Sequence, residues 1–173
     1  VSVRAARTTD PLLARVWDAL ATVHDPELPA LNIVEMGLVR EVAREPGPAP
    51  DAAVRVTITP TFSGCPALAV IEEEVASAVK RAGVAEVAVT TRLSPPWSTD
   101  EMTDEARAKL ERFGIAPPQP HGGLLEIALE APVRCPRCGH PDTRVRNPFG
   151  SALCREIRTC QACEETFERF KPL

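Results

Sequence analysis

Six cysteines and two carboxylates carry most of the chemistry this sequence can offer. Four of the cysteines form two close pairs, Cys135/Cys138 and Cys160/Cys163. A two-residue spacer lets both sulfurs of a pair face one ion. The 21 residues between the pairs are long enough for a hairpin that returns the second turn to the first. Four thiolates suit a tetrahedral Zn2+ in a closed structural site. The same ligands would also suit iron in a rubredoxin-like site. A third reading, two redox dithiols, lacks the βαβ pattern that usually surrounds such motifs. His140 could replace one thiol, but four cysteines already fill the shell. Cys154 is left over, and packing is its default role; exposed near Cys65, it would offer a second thiol.

Cys65 stands apart, in the run Phe62-Ser63-Gly64-Cys65-Pro66-Ala67-Leu68. Before it, Val54, Val56 and Ile58 alternate with Arg55, Thr57 and Thr59, the pattern of a half-buried strand. After it, Leu68, Ile71, Val75, Ala78, Val79 and Ala82 repeat at helical spacing, with Pro66 suited to the first helical position and Gly83 to the stop. This places Cys65 at or beside a helix N-cap, where free N–H groups and the helix dipole predict a lowered thiol pKa. The plain alternative is a small buried cysteine that only packs. Asp25 and Glu27 lie in His24-Asp25-Pro26-Glu27-Leu28-Pro29, a loop that two prolines keep from being helical. Paired acids can do acid–base work or bind metal; more commonly they shape turns. No His adjoins Cys65 in sequence, which leaves a thiol enzyme the weakest reading.

The totals exclude several classes. The chain has 173 residues and is 44% apolar, enough for one sizeable core and a small second domain. Aromatic content is 4%, with no Tyr, which argues against a stacking platform for single strands. The net charge is −4. Residues 132–173 carry eight Lys/Arg and five Asp/Glu, while residues 1–131 carry twelve and nineteen. Four thiolates with one Zn2+ would leave the tail near neutral, so no nucleic-acid partner is expected. No apolar run reaches spanning length, so no membrane partner is expected either. With no such run and first residues unlike a signal peptide, the chain reads as a soluble cytoplasmic protein, in which paired cysteines read as metal ligands rather than a disulfide framework.

The remaining elements must position these groups. Residues 1–9 read as a frayed terminus. Asp10-Pro11 starts a helix whose apolar face is Leu13, Val16, Trp17, Leu20 and Val23, with His24 as its last residue. Met36–Val42 reads as a strand, joined through 45–51 to the Val54 strand as a hairpin. Glu86–Leu93 alternates again, with Val87, Val89, Thr91 and Leu93 on one face. Ser94-Pro95-Pro96-Trp97-Ser98 is an extended loop, on which Trp97 either covers a pocket or plugs the core edge, the plug being preferred. Thr103 caps a helix carrying Ala106, Leu110 and Phe113, closed by Gly114. Pro117–Gly123 is the clearest linker, followed by a strand pattern over 123–130.

These residues resemble a known family. Asp25-Pro26-Glu27-Leu28-Pro29, Asn32–Val39, Cys65-Pro66, Pro95-Pro96-Trp97-Ser98 and Met102-Thr103 resemble the SufT-like iron–sulfur assembly domain. With a four-cysteine ribbon behind it, the whole is similar to the PaaD family of the phenylacetyl-CoA epoxidase system. The resemblance implies an α+β fold, a small mixed sheet with helices packed on it, over residues 1–116. A linker with a strand follows at 117–132 and a zinc ribbon at 133–173. It implies that Cys65 carries the assembly role as a transient iron ligand, with Asp25 and Glu27 in its pocket. The implied function is accessory rather than catalytic: maturation of the oxygenase and reductase subunits by delivery of iron or an iron–sulfur cluster. A cluster takes about four ligands, so a homodimer or a client cysteine would complete the site. The rival readings are a stoichiometric, non-catalytic oxygenase subunit and electron transfer through a ribbon-bound iron.

Overall fold

Asp10 and Pro11 start the first helix as their chemistry directs. In the computed structural model, which describes residues 8–46, 53–120 and 132–173, α1 spans Pro11–Leu20. The Leu12 and Leu13 N–H groups donate to Asp10 Oδ1 at 2.9 and 3.4 Å. Arg44 completes the cap, donating from Nε to Asp10 Oδ2 and from Nη2 to Oδ1 at 2.5 and 2.8 Å. The helix buries Leu12, Val16 and Leu20. It does not reach His24. Thr22 turns the chain back onto the Ala19 carbonyl with both its N–H (3.0 Å) and its hydroxyl (2.7 Å). A side-chain hydroxyl that competes for a helical carbonyl ends the ladder early. His24 instead forms an isolated bridge with Asn32.

Three strands follow the hairpin and crossover logic of the sequence. β1 (Val39–Arg44) pairs antiparallel with β2 (Ala53–Ile58), and β2 pairs parallel with β3 (Glu86–Thr91), in the order β1-β2-β3. The first strand starts later than expected, because Gly37 takes φ +74° in a turn that Met36 enters. α2 (Leu68–Arg81) is the crossover between β2 and β3. It buries Ile71, Val75, Ala78 and Val79 and has no side-chain N-cap bond. Each large apolar side chain so buried contributes about 1.5–3 kcal/mol, against about 1 kcal/mol for a cap. Packing therefore holds α2, and Gly83 (φ +93°) ends it. Leu31, Ile33, Met36, Val54, Val56 and Ile58 complete this core, each at most 1% exposed. Trp97 plugs it, buried, with its indole N–H donating to the Met36 carbonyl at 2.9 Å.

The chain divides into two units, 1–97 and 98–173. α3 (Asp104–Arg112), which the sequence reading placed ahead of the linker, lies in the second, as does β4 (Ile115–Ala116). Thr103 caps α3 through its hydroxyl, which accepts from the Ala106 N–H at 3.1 Å. Ala106 and Leu110 are buried, whereas Phe113, expected on the same face, is exposed. As the C-cap residue it follows the last helical turn, and the chain leaves through Gly114 at φ +80°. β4 pairs parallel with β7 (Thr166–Phe170), which continues antiparallel through β6 (Arg155–Cys160) to β5 (Thr143–Asn147). The hairpin expected between the cysteine pairs is therefore β5–β6. A small core of Ala116, Val133, Cys135, Cys160 and Phe167 lies beside it. The strand pattern at 123–130 lies outside the described residues, as do most of residues 1–9 and of the 45–51 loop. Among the described residues, no helix is long and apolar enough to cross a membrane.

Candidate functional site

The first unit places Cys65 on the loop that leaves the C-terminal end of β2. Its N–H donates to the Phe62 carbonyl at 3.0 Å, and its own carbonyl accepts from Leu68 at 3.2 Å. Pro66 and Ala67 form a turn, so the helix proper begins two residues later than Pro66 suggested. The thiol is half-buried. Its pKa is raised, not lowered as its place near a helix start led us to expect. Burial is the main cause. The Ala67 and Leu68 N–H groups oppose it, but the Asp25 and Glu27 carboxylates add to it. Cys65 is thus a thiol held protonated beside negative charge, an arrangement that a cation would reverse.

Asp25 is buried, and its Oδ1 accepts from the Glu27 and Leu28 N–H groups at 2.8 and 2.9 Å. It therefore shapes its loop as well as lining the site. Asn32 and Glu35 fix the next turn reciprocally. Asn32 Oδ1 accepts from Val34 and Glu35 N–H, and Glu35 Oε1 accepts from the Asn32 N–H at 2.8 Å. This is a capping-box clasp, legible in the Asn32-x-x-Glu35 spacing. Cys65 and Asp25 line one small pocket with Thr59 and the apolar Leu38, Ile58 and Leu68. Glu27, half-buried, acts on the thiol electrostatically from outside that lining.

The second unit brings the four paired cysteines together. The Sγ atoms of Cys135, Cys138, Cys160 and Cys163 all lie within 4.8 Å of one another. Among the described residues, this is the one group of three or more His, Cys, Asp or Glu side chains so arranged. Cys135 and Cys163 are 3.8 Å apart and Cys138 and Cys160 3.6 Å, far from the ~2.05 Å of a disulfide. Tetrahedral ligands at a metal–sulfur distance of ~2.3 Å stand about 3.8 Å apart, so the donor set fits one tetrahedral ion. Cys135 and Cys160 are buried and Cys138 and Cys163 exposed.

The two turns are built alike. Cys135 donates from its N–H to the His140 carbonyl at 3.0 Å and accepts from Gly139 at 2.8 Å. Cys160 donates to Glu165 at 2.9 Å and accepts from Glu164 at 3.1 Å. Each turn closes through a positive φ at the fourth residue after its first cysteine. Gly139 supplies it without steric cost (φ +74°), and Glu164 supplies it with an ordinary side chain (φ 61°). Arg137 and Glu165 pair between the turns. Without a cation the thiols cannot all ionise. Cys160 is lowered to about 6, first by the Cys163 N–H. At Cys163 the Glu165 N–H pulls downward, but the neighbouring thiols and burial outweigh it and push the group up to about 12. Cys154 is buried, so the exposure that a second reactive thiol would need is missing.

Known proteins divide in the same way. Residues 13–91 match the family model of an iron–sulfur cluster assembly protein, and residues 121–171 match that of the PaaD zinc beta ribbon domain. An Escherichia coli (strain K12) protein named as a putative component of 1,2-phenylacetyl-CoA epoxidase, one of its lettered subunits, is 36% identical over 168 residues, 97% of this chain and 98% of that protein. An Fe-S protein maturation auxiliary factor of Porphyromonas gingivalis is 37% identical over 92 residues, 53% of this chain and 83% of that protein. A crystal structure of a domain of unknown function from Bacillus anthracis superposes with a TM-score of 0.52 at 30% identity, covering 57% of this chain and 91% of that one. The chain therefore belongs to the PaaD family, an iron–sulfur assembly domain joined to a four-cysteine zinc ribbon.

Proposed function

We propose that this protein is a maturation factor that helps insert iron, or an iron–sulfur cluster, into the phenylacetyl-CoA epoxidase system. The observation that carries the reading is the pairing of the half-buried Cys65 thiol with the buried Asp25 carboxylate in one pocket, inside a domain of the iron–sulfur assembly family. Two carboxylates disfavour the thiolate while the pocket is empty. An iron cation neutralises that charge, takes the sulfur as thiolate and releases its proton. One thiolate with neighbouring carboxylate oxygens fills only part of an iron ion's shell, which leaves positions for a client ligand to take the ion over and suits a carrier. The clients are the oxygenase and reductase subunits, and the setting is the cytoplasm. The ribbon cysteines hold a structural Zn2+, and the ribbon serves as a docking module. A second Cys65 in a homodimer, or a client cysteine, supplies the further ligands a cluster needs.

Cys65→Ser tests this. The variant folds, and oxygenase matured with it contains less iron; full client iron with the variant would refute the role of Cys65. A second reading, a stoichiometric subunit without chemistry of its own, is favoured by the name of the Escherichia coli relative, which is called a subunit. That reading requires this protein during turnover rather than only during assembly.

A further inference from the structure

Thr59 follows directly on β2, and its backbone is fixed by a 2.8 Å bond from its N–H to the Leu38 carbonyl. The residue is 1% exposed, yet its hydroxyl has no hydrogen-bond partner. A buried hydroxyl left unpaired is disfavoured, and such groups in folded proteins call for a ligand, an ion or a water. Thr59 lines the same pocket as Cys65 and Asp25. Both turn bonds to Asp25 fall on Oδ1, which leaves Oδ2 outside the turn. The pocket has room for roughly one water-sized group.

We propose that Thr59 is a third binding residue of the Cys65 pocket, and that the pocket takes a single divalent transition-metal ion rather than a preformed cluster. The inference rests on the reading of Cys65 given above and narrows its cargo. One soft sulfur with two oxygen donors suits a borderline cation such as Fe2+. The thiol, half-buried and so in reach of solvent, gives up its proton to water as the metal–sulfur bond forms, and the Thr59 hydroxyl turns its lone pair to the ion or to the ion's water. Three donors leave the ion's shell open, so that a client ligand can enter without prior loss of one from the carrier.

The full chain, its ribbon loaded beforehand with zinc, is titrated anaerobically with Co2+ and followed by the thiolate-to-metal absorption band. One Co2+ per chain beyond the zinc is expected, with the band absent in Cys65→Ala. Thr59→Val should weaken binding roughly 2- to 10-fold, the factor one net hydrogen bond carries, and Thr59→Ser should restore it. Without Co2+, Thr59→Val should melt at or above the wild-type temperature, because it removes no bond. Equal Co2+ affinity in Thr59→Val and wild type, with Cys65→Ala inactive, overturns the role of Thr59 and leaves that of Cys65 standing. A lowered melting temperature in zinc-loaded, Co2+-free Thr59→Val makes the hydroxyl structural and also overturns it. More than one metal per pocket, or no uptake beyond the zinc, overturns the single-ion reading. The same band in Cys65→Ala as in wild type removes the premise itself.

Discussion

Glu156 offers the sharpest test of how the ribbon sheet is held. It lies on β6, and its Oε1 accepts from Arg158 Nη1 at 2.7 Å and from Arg169 Nη1 at 3.3 Å. All three side chains are at most 10% exposed. Glu156→Ala leaves two buried guanidinium groups without their shared carboxylate. Removing one partner of a buried pair costs about 3–5 kcal/mol. Arg158 keeps its bonds to the Thr143 hydroxyl and carbonyl at 3.1 and 3.0 Å, which places the expected loss near the lower end, about 3 kcal/mol. For a unit of this size that lowers the melting temperature by roughly 12–24 °C. The assay is thermal unfolding followed by circular dichroism, with zinc in fixed excess. Glu156→Gln keeps an acceptor oxygen and should lose less. Replacing Glu156, Arg158 and Arg169 together by apolar residues should recover most of the loss, because none of the three charges is then left buried without its partner. A Glu156→Ala protein that melts within about a degree of wild type would refute the reasoning.

Other predictions follow from single contacts. Trp97→Phe keeps the plug but strands the Met36 carbonyl, and should cost about 1–3 kcal/mol by urea denaturation. The Arg44 guanidinium, aided by two backbone N–H groups, holds the Asp10 carboxyl at about 2. Its folded pKa is depressed, so its contribution to stability is present above the ordinary value of 3.8 and is lost as pH falls through about 2. An NMR titration checks this, and Arg44→Gln should return the midpoint toward the ordinary value. A strong chelator should strip the ribbon and unfold the 98–173 sheet while the helices of 1–97 persist, because so small a core depends on its metal. Hydrogen exchange resolves the two.

Much of this arrangement was legible because its signals are local. The alternation of Val54, Val56 and Ile58, the helical spacing from Leu68 to Val79 and the glycine stops at 83 and 114 each reflect the neighbouring backbone alone. The cysteine pairs were legible because a metal dictates their spacing. What could not be read depends on distant partners. β4 is two residues long and is a strand only because β7 pairs with it some fifty residues later. Arginines ordinarily face solvent, yet Arg155, Arg158 and Arg169 are buried: Glu168 meets Arg155 and Glu156 meets Arg169 across the β6–β7 pair, and Glu156 also holds Arg158 on its own strand. The Cys65 thiol departs from its local expectation for the same reason. The N–H groups of its own loop were visible in sequence, but the burial and the carboxylates of a loop some forty residues earlier were not. Glu164 gives no sign of its left-handed backbone until its turn is set beside that of Gly139.

The most direct measurement of the maturation role is made on the client. The oxygenase and reductase are purified from cells with and without this protein. Their iron is then counted, and turnover is assayed with the protein absent from the tube. Maturation requires that clients made without it lack iron or cluster, and that clients made with it turn over after its removal. Normal iron in clients made without it, with turnover restored only when it is added back, would contradict maturation and make it a working subunit.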